Sequence, residues 1–386
     1  MTRIGNLQID APFFQAGLAG YSDTAMRLVA RRHGCPYCIT EAMLDRLLLA
    51  GGKGLKPALL DPQDHPIAGQ IMGSEPDEMA RAAELLLGLG YDAIDVNLAC
   101  PVKKIRRKFR GGHLLATPEQ AIAILAAVRS AVGDRAPCTV KLRRGSDDSA
   151  GAEARFHRIF QATIDLGYSA AVVHCRTVEQ KYNGPSRWPF LQDLVARYGD
   201  TPGFTIGGSG DIWQAQDIFR MIEQTGVELV SVARGCIGNP WIFVQARAML
   251  DGDAAAAGRP PSIFQQRQVL LEHFHLAVQV HGESRAGVQM RKFGIRFARH
   301  HPDGEAVRQG FIGVRTIADW QAVLDRHYAE DGPGIVPHQA LPDEATPTCC
   351  EPAEAHPMQW PARSAAVSAA PHGTTAPSGP LASSGC

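Results

Sequence analysis

Eight short apolar runs, each followed by a stretch of different periodicity, constrain this chain more than any other feature. They are "PFFQAG", "YCITEA", "PIAGQIM", "DAIDVNLA", "CTVKLR", "AAVVHCR", "GFTIGG" and "LVSVARG", spread between residue 11 and about residue 250. Runs of this length, rich in β-branched residues and bounded by Gly and Pro, read as buried strands. Most of the intervening stretches carry apolar residues at helical spacing. "TAMRLVARRHG" ends in a Gly suited to a left-handed cap. "SEPDEMARAAELLLGLG" opens with Ser74 at the expected N-cap and acids in the first turn. "TPEQAIAILAAVRSAVG" places Thr117 at the N-cap and Pro118 at the first helical position. Eight strands with helical crossovers fit a (β/α)8 TIM barrel, and a doubly wound open sheet is the alternative. The barrel is favoured by the residues that fall at the strand ends.

The pattern stops after the eighth run. The barrel is therefore assigned to residues 1–250, and "DGDAAAAGRPPS" at 251–262 reads as a linker. Residues 263–330 carry helical spacing in "IFQQRQVLLEHFHLAVQVHG", "SRAGVQMRKFGIRFARHHP" and "IADWQAVLDRHY", which predicts a small all-helical domain. Residues 331–386 are rich in Pro, Ala, Ser and Gly, and the expectation is a disordered tail with too little apolar surface to offset ordering entropy. Cys349 and Cys350 lie in that tail and are not expected to form a preset metal site.

The chain has 386 residues and a formal net charge of zero. From His338 onward Asp343, Glu344, Glu351 and Glu354 stand against Arg363 alone, so the body before them is mildly basic. A neutral sum leaves room for a polyanionic partner, because distribution matters more than total. No apolar run reaches the roughly 18–20 residues that span a bilayer, and "MTRIGNLQID" has no signal-peptide core. The expectation is a cytosolic protein without a membrane partner. Its nine scattered cysteines then form no disulfide framework.

Catalytic groups in a barrel sit where the strands end. The third run ends at Gln70, the fourth at Asn97 and Cys100, the fifth near Lys141, and the sixth at His174 and Arg176. A rim so rich in donors and poor in acids expects an anionic or carbonyl-rich ligand. Pro101 opens a loop behind Cys100 that carries Lys103, Lys104, Arg106, Arg107, Lys108 and Arg110 before Gly111-Gly112. Glycine-rich turns follow the last two strands, "IGGSGD" and "VARGCIGNPW", where backbone N–H groups can cradle a phosphate. A second basic cluster, Arg285, Arg291, Lys292, Arg296 and Arg299 with His300 and His301, falls in the helical domain and suits a phosphate backbone.

Two motifs are decoys. "CPYC" at Cys35–Cys38 follows a helix and enters a strand, the reverse of a redox-active arrangement, so it reads as packing. "GLGYDA" from Gly88 ends a helix and does not follow a strand, so it is no dinucleotide fingerprint.

With these residues in place the sequence resembles the tRNA-dihydrouridine synthase family, most nearly its bacterial B-type branch. "NLACPVKKIRRKFRGGHLL" is similar to the family's Cys-Pro loop, and "QIMGSEP", "VKLRRG", "HCRT", "GSGDI" and "GNPWIF" match further positions in order. The resemblance implies a barrel that holds FMN, uses NADPH as reductant and reduces the C5=C6 bond of uridines in tRNA. It makes Cys100 the proton donor to C5, with hydride passing from reduced flavin to C6. Gly17, Leu18 and Ala19 would lie beside the flavin, Gln70 and Lys141 would hold its rings, and His174 would support it. Ser209, Gly210, Asp211, Ala233 and Arg234 would receive its phosphate. Asn97 and Arg176 would orient the uracil. Lys103, Lys104, Arg106 and Arg107, together with Arg291, Lys292 and Arg296, would meet the RNA backbone. The run from Lys103 to Arg110 is expected to point away from Cys100, because nearby cations would weaken a thiol acid. No metal is implied, and a monomer is expected. The rival readings are an FMN barrel reducing a free pyrimidine or other small molecule, and a non-catalytic RNA-binding protein.

Overall fold

A computed structural model describes residues 2–102 and 109–337. All eight candidate runs contain strands, and those strands close into one parallel ring. They are β3 (Phe13–Gln15), β4 (Cys38–Ile39), β6 (Ile67–Met72), β7 (Ala93–Leu98), β8 (Cys138–Arg143), β9 (Ala170–His174), β10 (Thr205–Ser209) and β11 (Leu229–Val232). Closure comes from β11 pairing with β3, Val230 opposite Phe13, and from β4 pairing with β6, Cys38 opposite Ile67. A short strand β5 (Met43–Leu44) also pairs with β6. Ile39 faces Ala68 and Met43 faces Ile71, so one extra residue is accommodated between them, a bulge on the barrel rim.

The hairpin of β1 (Thr2–Ile4) and β2 (Leu7–Ile9) has no counterpart in the sequence reading. Gly5, at φ +60°, makes its turn, and Ile4 and Ile9 plug the barrel floor against Phe14, Tyr37 and Leu229. Thr205 Oγ1 donates to the Arg3 carbonyl at 2.7 Å and fixes the plug to the ring.

Helices between the strands pack their apolar faces on the outside of the ring. The helix Pro76–Gly88 begins one residue later than expected: Glu75, not Ser74, is its N-cap. Pro76 holds the first helical position and forces the residue before it into extended backbone. Thr117 takes the N-cap position of Pro118–Val132, as the sequence suggests, but its hydroxyl donates back to the Leu114 carbonyl and makes no capping bond. Cys35 and Cys38 are buried with their sulfurs 3.9 Å apart, between the helix Thr24–Arg32 and β4.

The linker region contains one helical turn, Ala254–Ala257, capped by Asp253. Beyond it stand the helices Ile263–His281, Glu283–Phe297, Gly304–Ile312 and Ile317–His327. Capping boxes at Ser262/Gln265 and Thr316/Asp319 start the first and last of these. Trp320 is buried between the rings of Phe274 and Phe311. Close approach demands glycine twice here. A Cβ on Gly287 would lie 2.2 Å from the Arg315 carbonyl oxygen, and one on Gly294 would lie 2.4 Å from the Phe311 ring. Residues 332–337 run back over the body: Ile263 N donates to the Gly332 carbonyl and Ile335 N to the His300 carbonyl. The expected disordered tail lies outside the described residues from 338 onward. Among the described residues no helix is long and apolar enough to cross a membrane.

Candidate active site

The C-terminal ends of the barrel strands surround a cleft with about 1160 Å³ of empty space, part of it open to solvent. Every residue expected beside a cofactor lines it. Gly17, Leu18 and Ala19 follow β3, Gln70 lies in β6, Lys141 in β8 and His174 ends β9. Ser209, Gly210 and Asp211 close β10, and Ala233 and Arg234 follow β11. Asn97, within β7, and Cys100, two residues beyond its end, line the cleft as well.

A chain of hydrogen bonds runs from the barrel interior to the thiol. Thr139 Oγ1 donates to Asp95 Oδ1 at 2.5 Å, and Gln70 Nε2 donates to Asp95 Oδ2 at 2.7 Å. Asn97 Nδ2 donates to Gln70 Oε1 at 2.7 Å, while Asn97 Oδ1 accepts the N–H groups of Ala99 and Cys100, both at 3.0 Å. That last pair is an Asx turn, a local device in which the side chain sets the backbone. Asp95 is fully buried, and desolvation raises its carboxyl above the ordinary value against the pull of Thr139, Gln70 and Lys141. Arg143 Nε donates to the Ala99 carbonyl at 2.8 Å, and Gly112 N donates to the Cys100 carbonyl at 3.0 Å. The Cys100 turn is thus gripped from both ends of its loop.

The lining contributed by the strands after β7 is cationic and unsatisfied. Lys141 Nζ, His174 Nε2 and Arg234 Nη1 are buried there without a hydrogen-bond partner, as is Arg176 Nη1 behind the lining. Burial lowers Lys141 to about 7, although Asp95 and Cys175 pull it back. Burial also holds His174 well below its ordinary value, reinforced by Arg143, Arg176, Lys141 and Arg234. Arg143 and Arg234 are each lowered to about 10, first by burial. Donors held this way favour a ligand that brings acceptor oxygens or negative charge. Backbone geometry makes room for it: Gly210 lies at φ +117°, and a Cβ there would meet Ser186 Oγ at 2.3 Å.

Some expected residues serve other purposes. Arg176 does not line the cleft. Its Nη2 donates to both Asp211 carboxylate oxygens, at 2.6 and 2.9 Å, and Nε and Nη2 both reach the Gly184 carbonyl. It holds Asp211, whose other bond is the N–H of Ser186. Lys292 turns inward: its Nζ donates to the Gly20 carbonyl and lies 4.8 Å from the centre of the Tyr21 ring. Arg110 is buried with its guanidinium 3.4 Å from Asp45, so it does not extend the basic run toward solvent. Lys103, Lys104, Arg106 and Arg107 lie outside the described residues. Arg291 is half-buried, and Arg296 lines a neighbouring cavity. His300 and His301 are buried and add nothing to a basic surface, because the first packs against Trp241 and the second against Tyr328.

Three cleft residues went unread in the sequence. Tyr182 lies between two guanidiniums, with Arg143 5.4 Å and Arg234 5.1 Å from its ring centre, and Arg234 is also 4.8 Å from Trp213. Arg143 had a signal, since it stands two residues after Lys141 in one strand and so shares its face. Tyr182 and Trp213 stand on loops, where no periodicity marks them.

Comparison with known proteins agrees with this geometry. Residues 14–330 match the family described as Dihydrouridine synthase (Dus). The chain is 32% identical over 329 residues to a probable tRNA-dihydrouridine synthase of Treponema pallidum, covering 83% of this chain and 94% of that protein. It is 28% identical to tRNA-dihydrouridine synthase B of Shewanella oneidensis, covering 85% and 98%. A solved 2-naphthoyl-CoA reductase shares the fold at a TM-score of 0.50 and 14% identity, over 65% of this chain and 51% of that one. A closed barrel, a cysteine held in an Asx turn at its mouth and a match that runs through the barrel and the helices after it converge on one assignment: the chain belongs to the dihydrouridine synthase family.

Proposed function

We propose that this chain reduces the C5=C6 bond of uridines in tRNA, with FMN resident in the cleft, NADPH as the reductant and Cys100 as the proton donor. The observation that carries the reading is one cleft lined by Cys100 and by three buried donors without hydrogen-bond partners, Lys141 Nζ, His174 Nε2 and Arg234 Nη1. FMN fits that donor set: its ring carbonyls suit Lys141 and His174, and its phosphate suits Arg234 with the Ser209–Gly210–Asp211 and Ala233 backbone. When bound, it supplies hydride to C6, chemistry that no side chain here possesses.

The remaining work falls to the protein. As hydride arrives at C6, negative charge grows at C5 and on the adjoining carbonyl, and an acid must quench it. Cys100 Sγ gives its proton to C5, so one hydride and one proton saturate the bond. Asn97 does not orient the base in this reading; both its amide groups are engaged in fixing the Cys100 turn. Arg143, tied to the Ala99 carbonyl beside the thiol, is placed to stabilise the charge on the uracil carbonyl. Arg176 keeps Asp211 in place. The basic run from Lys103 to Arg107, with Arg291 on the helical domain, meets the RNA backbone.

Incubation of the protein with NADPH and unmodified tRNA, followed by nucleoside mass analysis, tests this reading. The expected product is dihydrouridine in tRNA, with free uridine and uracil untouched. Reduction of the free pyrimidines with tRNA left unchanged would establish the small-molecule reading instead.

A further inference from the structure

Asp95 lies within β7, fully buried, and is absent from the cleft lining. It stands directly opposite Gln70 of β6 on one side and Thr139 of β8 on the other. Asn97, two residues on in the same strand, shares its face of the sheet. Both Asp95 oxygens only accept: Oδ1 takes the Thr139 hydroxyl and Oδ2 the Gln70 carboxamide N–H. Thr139, Gln70 and Lys141 all favour its charged form against burial. An ionised carboxylate has no proton to give, so it presents acceptors alone.

That end dictates the sense of each later link. A carboxamide has a donor end and an acceptor end, and its two orientations fill the same space. With its NH2 turned to Asp95, Gln70 offers Oε1 to Asn97. Asn97 answers with its own NH2, which leaves its Oδ1 for the N–H groups of Ala99 and Cys100. Those two groups are donors only. An acceptor at one end and donors at the other leave one arrangement that satisfies every link. The Gln70 backbone N–H is held separately by Thr40 Oγ1 at 2.9 Å, a bond that does not choose between the carboxamide orientations. We infer that Asp95 is a positioning residue for the proton donor: its carboxylate sets the sense of both carboxamides and, through them, the turn that places Cys100. The inference deepens the function proposed above and rests on it for the thiol's role.

The test is hydrogen exchange of the full chain, read at the amides of Ala99 and Cys100 by mass spectrometry. It is paired with single-turnover oxidation of the reduced protein by tRNA. Asp95→Leu removes the acceptor and lets Gln70 turn either way. Exchange at both amides should quicken about tenfold, the worth of one hydrogen bond, while the amides of β9 and β10 keep their rates. Oxidation by tRNA should slow by a similar factor. Asp95→Asn keeps an acceptor oxygen and should restore most of both. Gln70→Leu breaks the relay at its next link and should quicken the same two amides, so the test stands even where Asp95→Leu does not fold. Unchanged exchange at Ala99 and Cys100 in whichever of these two leucine variants folds would overturn the inference. Quickened exchange in a chain whose wild type never reduces tRNA would uphold the placement and overturn the proposed reaction instead.

Discussion

Asn97 Oδ1 accepts the backbone N–H of Cys100 at 3.0 Å, so the penultimate residue of β7, which ends at Leu98, also sets the thiol's position. Asn97→Ala removes both Asx-turn bonds and the contact to Gln70. Reduction of tRNA should then fall about 100-fold, the scale of a misplacement near 1 Å. Asn97→Asp keeps the acceptor and should recover part of the loss. Single-turnover oxidation by tRNA reads the defect, and flavin reduction by NADPH serves as the control. Cys100→Ser should cost about 10²–10⁴-fold in the same assay. An Asn97→Ala protein with wild-type turnover would show that the turn does not position the thiol.

Lys141 carries a pH signature. Burial holds it near 7, below the roughly 10.4 of an unfolded chain. The unfolded state therefore binds more protons between those values, and stability rises with pH across that window. The cost is full below pH 7 and fades toward 10.4. Lys141→Met should make the flavin-free protein more resistant to urea at pH 7–8, with a smaller pH slope. FMN should restore the charge, so its binding at pH 8 should take up a proton, read from calorimetry in buffers of different ionisation enthalpy. Binding without proton uptake would contradict this assignment of Lys141.

The helices after the barrel grip the segment that follows β3, of which Gly17, Leu18 and Ala19 line the cleft. Lys292 holds the Gly20 carbonyl, Phe293 packs edge-on to Tyr21 at 5.6 Å, and His281 bonds Asp23 at 2.6 Å. Glu41 accepts the Gly20 N–H at 2.8 Å. Lys292→Met should weaken FMN retention several-fold. A phosphate-binding lysine would lower the salt slope of tRNA affinity by about one when removed; for Lys292 the slope should not move.

Arg110 and Asp45 form a buried pair behind the Cys100 loop, with side chains 5% and 0% exposed. Asp45→Ala leaves a guanidinium without its partner and should cost about 3–5 kcal/mol by urea unfolding. Asp45→Leu with Arg110→Met should recover most of it, since apolar replacement of a buried pair is often neutral. Additive losses in the double variant would show that the two residues act separately.

The barrel was legible because buried parallel strands are uninterrupted apolar runs, and their ends named Gln70, Asn97, Lys141 and His174 directly. The floor hairpin escaped notice because strands of three residues leave almost no pattern. Gly304–Ile312 is short and follows His-Pro-Asp, which reads as a loop. The cations were harder. Arg110 and Lys292 look like surface charges in the sequence and Arg176 like a rim group facing substrate, and each is turned inward by a partner distant along the chain: Asp45, Gly20 and Asp211. His300 and His301 were misread for the same reason, because the side chains that bury them, Trp241 and Tyr328, come from other elements.

The most direct test is the visible absorption spectrum of the purified protein under anaerobic conditions, before and after NADPH and then after unmodified tRNA. A flavin band that bleaches with NADPH and returns with tRNA is the expected result. A colourless protein that cannot be reconstituted with FMN would contradict the account, and the cleft would need another ligand.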